Sequence, residues 1–244
     1  MYTMATPEYI WYRLLTAIGN PYGVAGLMGN LYAESRLNYR AITGVTPYSS
    51  DEYCDAVYLR TMSKEEFVHD GVAFGLAQWR YWSRKQALYE MHEKHPDFII
   101  SLDGQIDFLL EELPKYKTVW NVLLTAKTVK EASDIVLERY EKPANVGESV
   151  KAKRLEYSQT FFKTYYGKEP PKVDDVYYET TADRVNIRSG NGKEFGVLVQ
   201  VKDKGTKLKW IATASNGWTA VVIPSGKSVG WVSPEFVKEV NDES

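Results

Sequence analysis

The sequence predicts an α+β multidomain chain, with a mostly helical N-terminal domain and a small all-β C-terminal barrel. Three observations carry this. Apolar residues recur at helical spacing, with capping signals, through the first two thirds; a polar, proline-bearing stretch, Lys168-Glu169-Pro170-Pro171-Lys172, follows Gly167; beyond it come short alternating runs broken by turn residues. A chain of 244 residues with 44% hydrophobic and 25% charged residues can bury one large core or two modest ones. The expected boundaries are 1–167 for the helical domain, 168–176 for the linker and 177–244 for the β domain.

Each element has its own signal. Thr6-Pro7 sets an N-cap and first helical position ahead of Tyr9, Ile10, Leu14, Ala17 and Ile18. Asn20-Pro21 repeats the signal, and Val24, Leu27, Met28 and Leu31 then form one helical stripe. Ser83 with Gln86 and Thr128 with Glu131 match capping boxes. Leu102, Ile106, Leu109, Leu110 and Leu113 form a stripe that Pro114 terminates. A last helix is expected from Ser149 to Tyr166, closed by Gly167. Residues 40–74 break the periodicity and read as a long functional loop with one short helix near Ser63 to Val68. In the last third, strands are expected at 184–188, 196–201, 207–211 and 218–222.

Composition excludes several classes. A net charge of -2, balanced on both sides of Gly167, leaves no electrostatic footprint for nucleic acid. The single cysteine, Cys54, rules out an internal disulfide framework and a cysteine-rich zinc site, and it is given no role. His69, His92 and His95 do not fall at ligand spacing and the acidic loop lacks an EF-hand pattern, so no metal and no cofactor are expected. No run approaches membrane-spanning length.

The most informative residue is Glu34, in Gly29-Asn30-Leu31-Tyr32-Ala33-Glu34-Ser35 at the end of an apolar helix. A carboxyl group on the apolar side of a helix can keep its proton near neutral pH, because desolvation disfavours the charged form. That makes Glu34 a candidate general acid. Gly29 and Ser35 permit close approach, and Ser35 can bond the acid or cap a turn.

Three segments carry a family resemblance: Gly23 to Ser35, Phe74-Gly75-Leu76-Ala77-Gln78-Trp79, and Tyr140-Glu141-Lys142-Pro143-Ala144. In this order the N-terminal region resembles the phage tail lysozyme family, within the lysozyme-like superfamily. The resemblance implies a helical peptidoglycan-cleaving domain whose general acid is Glu34. The C-terminal region resembles bacterial SH3-type domains, through Val185 to Gly192, Gly205 to Leu208, Asn216-Gly217-Trp218 and Gly230-Trp231-Val232-Ser233. That resemblance implies binding to cell-wall peptide or glycan.

The remaining candidates keep two readings each. Gln78 suits an N-acetyl sugar or the positioning of Glu34, and equally an ordinary cap. Trp79, Tyr81 and Trp82 suit a sugar-stacking wall or a core. Tyr140 and Glu141 border the cleft in the family, or pack and are solvated. A second carboxylate is expected at Asp70, with Asp51, Glu52 and Asp55 in the same loop as solvated charges. In the barrel, Tyr177, Tyr178 and Arg188 are the wall-binding candidates, although a bond from Arg188 to a turn carbonyl is the structural alternative, and Trp218 and Trp231 are expected in the core.

These readings converge on an endolysin that cleaves the glycan strand as an N-acetylmuramidase. A lytic transglycosylase using the same glutamate and a non-catalytic wall-binding or virion protein are the alternatives. The expected partner is bacterial peptidoglycan, with no nucleic acid and no membrane insertion expected. The first residues lack the basic and apolar regions of a secretory signal, so synthesis in the host cytoplasm and action at the wall after release are expected.

Overall fold

The computed structural model describes residues 6–94, 99–143, 145–168, 176–188, 190–193, 195–214, 216–223 and 229–241. A helical region is followed by an all-β region, the α+β layout the sequence predicts. By compactness the chain divides into Ala17–Tyr166 and a second unit that joins the first turns of the N-terminal helix to the chain from Gly167 onward. Ala144 and most of the expected linker, 169–175, lie outside the described residues. No described helix is long and apolar enough to cross a membrane.

The helical unit is organised around one buried helix. After α1 (Thr6–Ile18), α2 (Pro21–Ser35) starts where Asn20 accepts a hydrogen bond from the Tyr22 amide, with Pro21 at the first helical position. Every residue from Gly23 to Leu31 is buried, so burial extends well beyond the expected single stripe. The opposite face is a row of glycines. A Cβ on Gly23 would lie 2.0 Å from the Leu123 carbonyl, one on Gly26 would lie 2.5 Å from the Ala132 Cβ, and one on Gly29 would lie 2.0 Å from Ser158 Oγ. Glycine at i, i+3 and i+6 therefore lets α7 (Lys117–Thr125), α8 (Val129–Val136) and α9 (Glu148–Tyr165) approach the α2 backbone.

Residues 40–74 are more ordered than the sequence suggests. Besides α4 (Lys64–His69), near where a short helix is expected, α3 (Ser50–Tyr58) opens with a complete Ser49/Glu52 capping box. Two short strands, β1 (Ile42–Thr43) and β2 (Ala73–Phe74), pair antiparallel at the ends of this segment. Arg40 binds Asp51 and Asp55, while Cys54 is buried and its thiol is pushed up to about 11 by that burial, with no nucleophilic character at neutral pH.

Downstream, α5 (Trp82–Lys94) begins one residue before Ser83, and Gln86 donates to Glu90 instead of closing a capping box. Helix α6 (Leu102–Glu112), capped by Ser101, runs into a single 3₁₀ turn containing Pro114. At α8 the cap is half the expected box: Thr128 accepts from the Glu131 amide, but Glu131 reaches back to the Lys127 amide. Residues Leu137–Glu141 continue α8 as a π turn, ended by Lys142 at φ 49° and then Pro143.

Among the described residues the β unit holds seven strands: β3 (Val176–Thr180), β4 (Val185–Arg188), β5 (Val197–Val201), β6 (Lys207–Thr213), β7 (Thr219–Val222), β8 (Val229–Val232) and β9 (Val237–Asn241). Their order is β5-β4-β8-β7-β6-β3-β9 with antiparallel pairing throughout, and among the described residues the sheet is not closed. Val185, Ile187, Val201, Leu208, Val221 and Val232 belong to its core cluster, consistent with alternation along each strand. Trp218 and Trp231 are buried, as the sequence predicts.

Candidate active site

Glu34 lies on the last turn of α2, and its carboxylate is half-buried against the guanidinium of Arg154 on α9. Arg154 is nearly fully buried and also donates to the Asn30 carbonyl, so the arginine is fixed to the helix that carries the acid. The close seat of α9 follows from Gly29, whose missing side chain makes room for Ser158 one turn beyond Arg154. Glu34 thus meets a cation, where its sequence position predicts an apolar wall. Of the apolar residues that mark α9 in the sequence, Val150, Leu155, Phe161, Phe162 and Tyr165, Phe161 is buried and the others are partly exposed; its buried companions are Arg154 and Ser158.

Ser35 is buried, and its Oγ lies 2.7 Å from the Leu76 carbonyl. This ties the end of α2 to the Gly75–Trp79 turn. In that turn Phe74 and Trp79 exchange backbone hydrogen bonds, Gly75 sits at φ 76° and Gln78 at φ 47°. Gly75 has a steric reason as well: a Cβ there would lie 2.4 Å from Gln105 Oε1, which accepts the Leu76 amide. The Gln78 amide nitrogen donates to the carbonyls of Ala41 and Gly75, so this donor closes the turn internally.

Trp79 is fully buried and donates from its indole nitrogen to Glu112. Its ring presents no face to a sugar; Tyr81 and Trp82 beside it have exposed rings. Tyr140 is buried too, donating its hydroxyl to Glu112 at 2.6 Å with Arg84 over its ring. Glu112 is the hub of this cluster, held by Arg84 Nε and Nη2 at 2.7 and 2.8 Å. Burial pushes its carboxyl up, but the Arg84 ion pair with the Tyr140 and Trp79 bonds outweighs that and holds it below the ordinary range.

Glu141, the last residue of the π turn, is in the opposite situation. Its Oε1 is buried with no hydrogen-bond partner among the described residues. Burial first, and then the negative charge of Glu34, push its carboxyl up to about 8, against the pull of Arg84 and Arg154. The Glu34-Ser35 pair and the Tyr140-Glu141 pair, more than a hundred residues apart in sequence, thus meet at one polar site.

Asp70 is placed elsewhere. Its Oδ1 accepts from the Val72 amide at 2.8 Å and from Lys85 Nζ at 2.5 Å, and its Oδ2 accepts from the Tyr53 hydroxyl. Lys85 is fully buried, and burial lowers its pKa despite the aspartate. These partners make Asp70 the anchor between the end of α4 and α5.

Arg154, Arg84, Glu112 and Gln105 are members of the site that the sequence does not announce. Their one signal is positional: a charged or polar residue at an apolar register, Arg154 at i-4 from Ser158 and i-7 from Phe161, and Gln105 next to Ile106. In the β unit, a pocket of about 260 Å³ is lined by Arg184, Asn186, Arg188, Lys193, Trp218 and Phe236, among others. Arg188 also donates to the Phe195 carbonyl at 2.8 Å, the turn bond named as its structural alternative. Tyr177 and Tyr178 lie on β3; Tyr178 packs partly against the core and Tyr177 lies beside Lys207.

The phage tail lysozyme family matches residues 5–165 of the chain. A match over most of the length, with the helical unit and the Glu34 cluster inside it, shows that the chain belongs to this family. Membership brings a lysozyme-like, peptidoglycan-lytic function, with peptidoglycan as the implied substrate. No curated protein matches the chain significantly.

Proposed function

We propose that this chain is an endolysin-type N-acetylmuramidase that cleaves the glycan strand of peptidoglycan with Glu34 as general acid. The observation that carries this reading is the meeting of Glu34 with Glu141 and Arg154 at the end of a rigidly packed helix. In the reaction Glu34 gives a proton to the departing glycosidic oxygen as the bond to the anomeric carbon breaks. Water then adds to the oxocarbenium-like carbon and returns a proton to the site. Exposed Tyr81 and Trp82 supply candidate stacking faces for the sugars.

One observation favours a second reading, the lytic transglycosylase. With Asp70 committed to Tyr53, Val72 and Lys85, the expected second carboxylate is not free at that position. A mechanism in which the substrate's own hydroxyl closes on the anomeric carbon needs no such group. Mass spectrometry of the released muropeptides separates the two, since a hydrolase leaves reducing ends and a lyase leaves anhydro ends.

Residues 177–244 fit a bacterial SH3-type module that retains the enzyme on the wall, raising the effective concentration of the catalytic unit. The pocket reached by Arg188 and walled by Trp218 is the better-formed candidate contact than the Tyr177–Tyr178 strand. The decisive test of the catalytic reading is Glu34→Gln. It should abolish turbidity loss on purified sacculi while sedimentation with them persists, and lysis at the wild-type rate would refute the role of Glu34.

A further inference from the structure

Glu112 and Glu141 are two carboxyl groups in neighbouring parts of one interior, and their surroundings are opposites. Glu112 accepts from Arg84 twice, from Trp79 and from Tyr140. Four donors of this kind sustain a buried negative charge. Glu141 Oε1 has no donor among the described residues, yet is sealed from solvent. A carboxylate oxygen buried without a donor is far costlier than the carbonyl oxygen of a neutral acid. Of the two arginines whose charge reaches it, Arg84 is bonded to Glu112 and Arg154 to Glu34.

We propose that Glu141 is the proton-holding partner of Glu34, a positioning residue that stays neutral in the resting enzyme and recharges Glu34 for each glycosidic cleavage. The charge of Glu34 acts on Glu141 and disfavours a second negative charge there, while Arg154 pairs with the Glu34 oxygen. The π turn is the device that brings the second group there. Leu137–Glu141 carries one residue more than an α turn, closed by Lys142 N to the Leu137 carbonyl at 2.9 Å, and each extra residue rotates the downstream side chains by about 100°.

The proton inventory balances. The O–H bond of Glu141 breaks as an O–H bond forms on Glu34; Glu34 then gives that proton to the glycosidic oxygen, whose bond to the anomeric carbon breaks. Water supplies hydroxide to that carbon and a proton to the carboxyl pair, which restores the neutral Glu141. The charged and titratable groups facing Glu141 are Glu34 from α2, Arg84 from α5, Glu112 from the end of α6, Arg154 from α9, and the Tyr116 and Tyr140 hydroxyls. Burial and Glu34 place its titration near 8, so it holds its proton at neutral pH.

This inference rests on Glu34 as the general acid, and the test keeps the two apart. In the full chain, Glu141→Gln preserves size and neutrality but cannot release a proton. Its lysis rate on purified sacculi at pH 7 should fall at least tenfold, and the alkaline limb of its pH–rate profile should move. Carbon-13 NMR of glutamate carboxyl groups in the unsubstituted protein should show Glu141 neutral at pH 6 and titrating near 8, with its midpoint lowered in Glu34→Gln. A Glu141→Gln enzyme with wild-type rate and profile overturns the proposal, as does a Glu141 resonance already ionised at pH 6. The NMR result decides alone if the Gln variant does not fold. Loss of activity in Glu34→Gln combined with full activity in Glu141→Gln removes only this inference; full activity in Glu34→Gln removes the general-acid reading itself.

Discussion

Ser35 Oγ and the Leu76 carbonyl, 41 residues apart, are joined at 2.7 Å. This contact fixes the last turn of α2, and with it Glu34, to the Gly75–Trp79 turn, whose own geometry is set by Gln105. Ser35→Ala leaves a buried carbonyl unpaired and should cost about 1–2 kcal/mol of stability. The effect on lysis should exceed what that loss explains, about tenfold, because an acid displaced by a fraction of an ångström misses the glycosidic oxygen. Thermal unfolding together with initial lysis rates at a temperature where the variant is folded checks both parts.

At Gly29 the backbone of α2 is pressed directly against Ser158 of α9. Alanine there puts a Cβ 2.0 Å from Ser158 Oγ and 2.5 Å from the Ser158 amide nitrogen, which is backbone and cannot swing aside. Gly29→Ala should therefore destabilise by about 1–3 kcal/mol, despite the better helix propensity of alanine. It should also push Arg154 away from Glu34. Pairing it with Ser158→Gly, which removes the Oγ but not the backbone clash, should recover only part of the stability in denaturant melts.

Asp70 faces a lysine with no exposed surface. Asp70→Asn removes the only carboxylate seen at Lys85 among the described contacts and leaves a buried ammonium to lose its proton or its seat. The expected loss is about 3 kcal/mol, at the lower end for a broken buried pair because the Asp70 side chain keeps 20% of its surface in solvent. For a domain of this size that is a melting-point drop of roughly 6–12 °C. Lysis measured well below the new midpoint should stay near wild type; a rate loss of a hundredfold with intact folding would restore Asp70 as a reacting group.

Much of the fold was legible because its signals are local. Asn20-Pro21, Thr128 and Gly167 mark helix ends through backbone chemistry that does not depend on distant contacts. Helix α3 was missed although Ser49-x-x-Glu52 is the same signal, because the surrounding polar residues masked a short amphipathic turn. Gly29 reads in the sequence as a place of close approach, and what approaches there is the α9 backbone at Ser158. Of the candidate site, Glu34 and Glu141 are marked in the sequence by their motifs, whereas Arg154 and Glu112 are not. A buried charge is recognised by its partner, and partners 28 to 120 residues away leave no periodic trace.

The pH dependence of folding offers a last expectation, independent of activity. Glu141 rises from the ordinary 4.5 to about 8 on folding, so between those values the folded chain binds a proton that the unfolded chain has lost. Unfolding free energy falls with rising pH wherever the folded state binds more protons. The contribution of Glu141 is therefore complete below pH 4.5, declines by up to about 1.4 kcal/mol per unit through the window, and is gone above pH 8. Glu112 works in the opposite sense, its stabilisation being lost only as pH falls below the ordinary carboxylate range. Urea melts of the unsubstituted chain and of Glu141→Gln between pH 5 and 9 isolate the first effect. The difference between the two curves should slope downward up to pH 8 and flatten beyond it, and parallel curves would mean that Glu141 is already charged in the folded protein at pH 5.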